Sequence, residues 1–200
     1  MMLFVLIVVL FSAIIHEYMH GWMADQLGDP TAKNAGRLTL NPISHIDLWG
    51  SIIMPALLWF GTNGSLVFGY AKPVPFNPYN LRDQKYGSAK VGIAGPAANF
   101  ITALFFGLIL RFFPLNNDYL IQLLAIIVQI NLVLMVFNLV PIPPLDGSRV
   151  VMPFLPYKWQ IRYANLERYG MLFVLIFILF GFQFISPIII GLFKLIVGSA

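Results

Sequence analysis

Residues 2–27 read MLFVLIVVLFSAIIHEYMHGWMADQL, and this stretch decides what kind of protein the chain is. Apart from Ser12, residues 2–15 carry no polar side chain. A bilayer core about 30 Å thick needs about 20 mainly apolar helical residues to cross it, and the run reaches that length before Gly28-Asp29-Pro30 ends it. His16, Glu17 and His20 interrupt its second half. Ionisable groups within a membrane span are costly and usually functional. No Lys or Arg precedes the run and no A-x-A-like site closes it, so it reads as a retained span and not a removable signal peptide.

The rest of the chain agrees. Hydrophobic residues make up 59% of the 200 and charged residues only 10%, against about 45–50% and about 25% in a soluble domain. So few charges cannot cover a water-soluble globule, and disorder and a soluble coiled coil are excluded on the same ground. There is no cysteine, so any transition metal must be held by His, Asp or Glu. The net charge of +4 is scattered over several loops; it reads as topology information and predicts no nucleic-acid partner.

The pattern predicts a polytopic α-helical membrane protein, one domain over 1–200 with about four to six membrane helices. After the span at 2–27, a loop over 28–90 holds short strands, a small membrane-associated β element. Its candidates are Arg37–Asn41, Leu66–Phe68 and Val74–Phe76, the last restricted to an edge by proline. Within that loop 48–61 is apolar but short, suiting a re-entrant segment. Further spans are predicted at 88–113 and 119–140, the first opening on small residues from Gly92 to Ala98 that let helices approach closely. Pro141-Ile142-Pro143-Pro144 then forbids helix and leads to Asp146. A surface helix over 156–168, a span over 169–185 and an apolar tail over 187–198, separated by Pro187, complete the chain.

His16-Glu17-Tyr18-Met19-His20 is an H-E-x-x-H pattern. Residues four apart share a helix face, so two imidazoles can hold one metal with Glu17 beside them to handle a proton. A zinc ion with three protein ligands keeps a fourth position for water and lowers the pKa of that water to about 7. The third ligand is not fixed by the motif. Asp146 is a candidate because it follows the extended proline run, yet an Asp-Gly pair is equally well a turn.

His16–His20, then Gly95-Pro96-Ala97-Ala98-Asn99, then Asn138 to Gly147 together resemble the site-2 protease family of intramembrane zinc metalloproteases, in its compact form without PDZ or CBS domains. The resemblance covers residues 2 to about 185. It implies that His16, His20 and Asp146 ligate one zinc, that Glu17 is the catalytic base, and that Asn99 and Asn138 lie near the active site to place substrate or stabilise the transition state. It also implies regulated intramembrane proteolysis of a transmembrane substrate, a single-pass helix, in a bacterial plasma membrane.

Charge gives an independent check. If 48–61 does not cross, loops 28–90 and 141–168 share a side and carry ten basic residues, against Arg111 alone near a span end on the other. The positive-inside rule then places the N-terminus outside and these loops in the cytoplasm. His16 lies about 22 Å along its helix, on the cytoplasmic side, where Asp146 also emerges. The two halves of the site can meet.

Other polar residues have plainer readings. Gln122, Gln129 and Asn131 are expected to make interhelical hydrogen bonds. His45 reads first as a loop residue and second as a gate or fourth ligand. Trp22, Trp49 and Trp159 suit the interfacial belt. The alternative to a protease is a membrane metal-binding or metal-transport protein, or a pseudoprotease that binds helices without cutting. The apolar outer halves of the spans speak against a transport path, and the intact Glu17 against a pseudoprotease.

Overall fold

The computed structural model describes residues 1–47, 50, 53, 57, 60, 61 and 72–198. Among the described residues, four helical stretches are long and apolar enough to cross a membrane. They are α1 (Met2–Gln26), α3 (Gly87–Phe112), α4 (Asp118–Asn138) and a run from Tyr157 to Val197. That run joins α6 (Tyr157–Leu166), α7 (Gly170–Ile176), a π-helical turn (Phe177–Gly181) and α8 (Phe182–Val197). Two short helices complete the set: α2 (Thr31–Asn34) and α5 (Asp146–Val151). The chain is an integral, multi-pass membrane protein.

Local chemistry sets the boundaries. Gly28, at φ +104°, takes the left-handed conformation just past α1 that other residues resist. Asn117 caps α4 by accepting from Leu120 N at 3.1 Å, and Asp83 accepts from Tyr86 N at 2.8 Å ahead of α3.

Helix α3 is the centre of the bundle, packed against α1, α4, α5 and α8. Ala103 of α3, Val128, Leu132 and Val136 of α4, and Ile185, Ile189 and Ile196 of α8 form the main apolar core. Leu3, Phe11, Ile101, Phe105, Phe180 and Phe184 point outward and are exposed. In water such a surface would aggregate; in a bilayer it faces lipid.

Three bonds show which helix ends lie together. Arg82 N donates to Leu27 O at 2.9 Å, joining the end of α1 to the approach to α3. The Tyr163 hydroxyl donates to Pro141 O, joining α6 to the end of α4. Arg111 Nη1 donates to Leu195 O at 2.8 Å, joining the far ends of α3 and α8. Lys194 therefore sits with Arg111, and the basic residues divide ten against two between the ends of the bundle.

Two expectations are corrected. The β element is not supported: no strand occurs among the described residues. Arg37–Asn41 bends because side chains capture its backbone: Thr39 Oγ1 accepts from Asn41 N at 3.2 Å and Asn41 Oδ1 from Ile43 N at 3.1 Å. Val74–Phe76 is irregular because Val74 N goes to Glu17 of α1, the following Asn77 N goes to Asp29, and Pro73 and Pro75 have no donor. Leu66–Phe68, Trp49 and most of 48–61 lie outside the described residues. Secondly, Pro187 does not separate a span from a tail but lies inside α8. Proline removes one helix donor, and membrane helices accommodate that where neighbours re-satisfy the freed carbonyl.

Candidate metal centre

His16 and His20 lie one turn apart on the buried face of α1, their rings edge to face with centroids 4.6 Å apart. Their Nε2 atoms are 3.0 Å from each other. Asp146 Oδ2 lies 2.9 Å from His16 Nε2 and 3.1 Å from His20 Nε2. All three residues are buried, and they form the one group of potential metal ligands found among the described residues.

Asp146 reaches this point by a forced path. Helix α4 ends at Asn138, the proline run turns the chain, Leu145 is extended, and Asp146 is the first residue of α5. Helix α5 then packs hard against its surroundings. A Cβ on Gly92 of α3 would come 3.1 Å from Asp146 O, and one on Gly147 would collide with the Leu139 carbonyl. Glycine at both positions lets the backbones close on each other.

The outer face of each imidazole is tied down. His16 Nδ1 donates to Asn99 Oδ1 at 2.6 Å, and His20 Nδ1 donates to Val91 O at 2.7 Å. A neutral imidazole that donates from Nδ1 has only a lone pair on Nε2. Two lone pairs and a carboxylate oxygen thus converge on one buried point, an arrangement that asks for a cation. Bonds of about 2.0–2.1 Å in a zinc tetrahedron keep donor atoms about 3.3 Å apart, a few tenths of an ångström wider than seen here. The adjoining space is kept open by Gly95, where a Cβ would lie 2.5 Å from His20 Nε2 and 2.6 Å from His16 Nε2. The donor set fits zinc: two nitrogens, one oxygen and room for a fourth partner.

Glu17 is half-buried and stands outside the ligand trio. Its Oε2 accepts from Val74 N at 2.8 Å. The segment 72–77 that supplies this donor is strapped along α1. Lys72 N donates to His45 O at 2.9 Å, Arg37 Nη2 donates to Lys72 O at 2.8 Å, and Asn77 N donates to Asp29 Oδ2 at 2.6 Å. Asp29 also accepts from Thr31 and from Asn80 Nδ2. Burial alone would raise its pKa, but the hydrogen bonds from Thr31, Asn80 and Asn77 outweigh that and hold it below the usual carboxylate range.

The remaining sequence candidates divide. Asn99 is fully buried beside His16, and its Nδ2 donates to Ser12 O at 3.2 Å and to Asn131 Oδ1 at 2.9 Å. Asn138 is half-buried and donates to Leu134 O of its own helix at 2.9 Å; it is not bonded to the trio. His45 is buried, bonded through Nε2 to Thr39 O at 2.7 Å, and not part of the ligand group.

Sequence reading did not assign three contributors to the site: the Val91 carbonyl, Gly95 and Arg149, whose Nη1 lies 3.4 Å from Asp146 Oδ1. A carbonyl leaves no mark in a sequence. Gly95 was visible as a small residue at a helix contact, and Arg149, three residues from Asp146 on a short helix, was within reach of an i, i+3 pairing argument.

Comparison with known proteins adds a family. Peptidase family M50 matches residues 114–181. A Bacillus subtilis protein named "Putative zinc metalloprotease YwhC" is 36% identical over 196 residues, covering 94% of this chain and 83% of the relative. A Mycolicibacterium smegmatis protein named "Putative zinc metalloprotease Rip2" is 29% identical over 85% of this chain and 64% of its own length. "Zinc metalloprotease MJ0392" of Methanocaldococcus jannaschii is 34% identical over 53% of this chain and 32% of its own. No solved structure gives a significant match.

Proposed function

The chain belongs to peptidase family M50, the site-2 protease family of membrane zinc metalloproteases, and from that premise we propose that it cuts transmembrane proteins within the bilayer, in regulated intramembrane proteolysis. His16, His20 and Asp146 hold the zinc and Glu17 is the catalytic base. The observation that carries this reading is the meeting of two bare imidazole nitrogens and one carboxylate oxygen within about 3 Å, among apolar spans.

The basic end of the bundle faces the cytoplasm by the positive-inside rule, which puts the N-terminus outside and the catalytic centre toward the inner leaflet of a bacterial cell membrane. Zinc, when bound, supplies Lewis acidity, lowering the pKa of water and polarising a peptide carbonyl. The protein's own residues do the rest. Glu17 has Oε2 fixed by Val74 N–H, so Oε1 is the oxygen that takes a proton from water and returns it to the leaving amine. Asn99 has both amide hydrogens committed to Ser12 and Asn131 and so has no donor left for a developing oxyanion; its place is beside His16. Asn138 keeps one amide hydrogen after bonding Leu134 O, and is the donor assigned to the developing oxyanion.

Water reaches the centre from the basic end, where a cleft of about 450 Å³ is lined by Phe76, Lys85, Ser88, Pro143, Ser148 and Arg149. The substrate is a single-pass helix that must unwind, because a helix hides its carbonyls in hydrogen bonds. Purified protein incubated with a transmembrane reporter should cut it, a chelator should stop cutting, and Glu17→Gln should be inert with zinc still bound. Full activity in Glu17→Gln would refute the assigned base.

A further inference from the structure

Asn131 and Asn99 stand behind His16 in a line of hydrogen bonds that has a direction. Asn131 Nδ2 lies 2.9 Å from Ile127 O. A backbone carbonyl only accepts, so the amino side of Asn131 faces Ile127 and its Oδ1 faces Asn99. That oxygen lies 2.9 Å from Asn99 and requires a donor there, so Asn99 turns its NH2 toward it. Ser12 O, at 3.2 Å, takes the second hydrogen of the same NH2. Asn99 Oδ1 is left facing His16 Nδ1 at 2.6 Å, which must therefore carry the proton. His16 Nε2 is then bare on the side of His20 and Asp146. Both asparagines are fully buried, so no solvent competes at any step.

We propose that Asn131, two side chains away from the ion, is a positioning residue of the metal centre that sets the tautomer and ring orientation of His16 through Asn99. The proposal rests on the reading of His16 as a zinc ligand and extends it from α1 across α3 to α4. Its logic is that of outer-shell partners generally: a ligating imidazole is oriented by whatever its other nitrogen bonds, and loss of that partner costs about 10–100-fold in metal affinity. Without the fixed acceptor on Asn131, only the longer bond to Ser12 O at 3.2 Å still opposes a flip of Asn99; a flipped Asn99 presents NH2 to His16 and forces the proton onto Nε2, where it blocks the metal.

The test compares two variants whose effects invert if Asn131 merely fills space. Asn131→Leu removes both hydrogen bonds and is well suited to an apolar helix contact. Asn131→Asp, kept neutral by its apolar surroundings, presents a carbonyl oxygen to Asn99 and a hydroxyl to Ile127 O, reproducing the line. Zinc affinity is measured by chelator competition on the full chain in detergent. The histidine tautomers are read from nitrogen-15 signals, which only three histidines contribute. The expected result is at least a tenfold loss of zinc affinity in Asn131→Leu with a changed His16 signal, and affinity within threefold of wild type in Asn131→Asp. Asn131→Ala, which adds no bulk, carries the same expectation as the leucine variant should that one not fold. Wild-type affinity and an unchanged His16 signal in the leucine or alanine variant would overturn the proposal, as would a loss in Asn131→Asp equal to theirs. His16→Ala serves as the reference. Its failure to abolish zinc binding would overturn the ligand assignment itself, a different result from normal binding in the Asn131 variants alone.

Discussion

Replacing Gly95 by alanine puts a methyl group into the space that this glycine leaves open against the two ligand nitrogens. The new Cβ would sit 2.5 Å from His20 Nε2 and 2.6 Å from His16 Nε2, where ordinary contact begins at 3.4 Å. The rings or the helix must therefore retreat by about 0.8–0.9 Å. Metal–ligand distances tolerate about 0.2 Å, so the displacement is several times what the coordination can absorb. The rings cannot rotate away cheaply, because each is tethered at Nδ1, to Asn99 and to Val91. Zinc affinity should fall about 100-fold, equivalent to about 2.7 kcal/mol, and proteolysis should fall with it. Chelator competition gives the affinity, and thermal unfolding in detergent shows that the variant is folded; alanine is itself the better helix former by roughly 0.5–1 kcal/mol. Gly191→Ala is the control, since a Cβ there meets nothing within 4 Å. A folded Gly95→Ala protein binding zinc within threefold of wild type would refute the placement of the ion beside Gly95.

Other perturbations separate the parts of the site. Val74→Pro deletes the N–H that holds Glu17 Oε2; a hydrogen bond to a charged group is worth about 1.5–3 kcal/mol, so kcat should drop at least tenfold while zinc affinity stays put, and a rise in kcat would mean that the strap restrains the enzyme. Saturating zinc at about 100 times Kd should stabilise the protein by about 2.7 kcal/mol, raising its melting temperature; His16→Ala should erase that response, and an equal response in the variant would place the binding elsewhere. The Asp29 carboxyl is held below its usual range. Its contribution is therefore complete above the unfolded pKa of about 3.9 and is lost as pH falls through the lower folded value. Unfolding scans from pH 6 downward should show that loss beginning near pH 4, and Asp29→Asn should flatten the acid limb; an unchanged limb would remove Asp29 as its source.

Much of this architecture was open to a reader of the sequence, because hydrocarbon is a demanding solvent. The spans read at 2–27, 88–113 and 119–140 are observed as Met2–Gln26, Gly87–Phe112 and Asp118–Asn138, since length and apolarity leave few choices. Asp146 as partner of His16 and His20 was implied by the resemblance to the site-2 protease family; helix spacing, charge sidedness and depth said only that they could meet, and the three lie together. The strand predicted at Arg37–Asn41 failed for a physical reason: the alternation was real, but Thr39 and Asn41 side chains take the backbone donors that a ladder would need. Pro187 misled because a rule made for water-exposed helices was applied inside a membrane. Asn131 was read as a helix-to-helix contact, and it is one. What the sequence could not show is that its partner also holds a ligand, because that depends on rotamers and not on spacing.

An accounting of buried polar atoms explains why the centre suits a hydrolase better than a transport path. His16 Nδ1, His20 Nδ1, both ends of Asn99 and both ends of Asn131 have hydrogen-bond partners. Asp146 Oδ1 faces Arg149. Around these residues, what remains unsatisfied by protons is the point bounded by His16 Nε2, His20 Nε2 and Asp146 Oδ2; the other buried atoms without partners among the described residues, Arg37 Nε and His45 Nδ1, belong to neither the trio nor its hydrogen-bonded line. A permeating ion needs a succession of exchangeable ligands along a path. Beyond Asn131 toward the far ends of the helices the neighbours are Val128, Ala103 and Ile196, all apolar and buried. Among the described residues a polar cleft lies at the basic end, lined in part by Ser148 and Arg149, and Glu17 is half-buried. An ion held by three fixed ligands, with the Glu17 carboxylate outside that set, can polarise a bond and exchange protons without being passed on. The chemistry that suits such a site is that of a metalloprotease, the addition of water to a peptide bond.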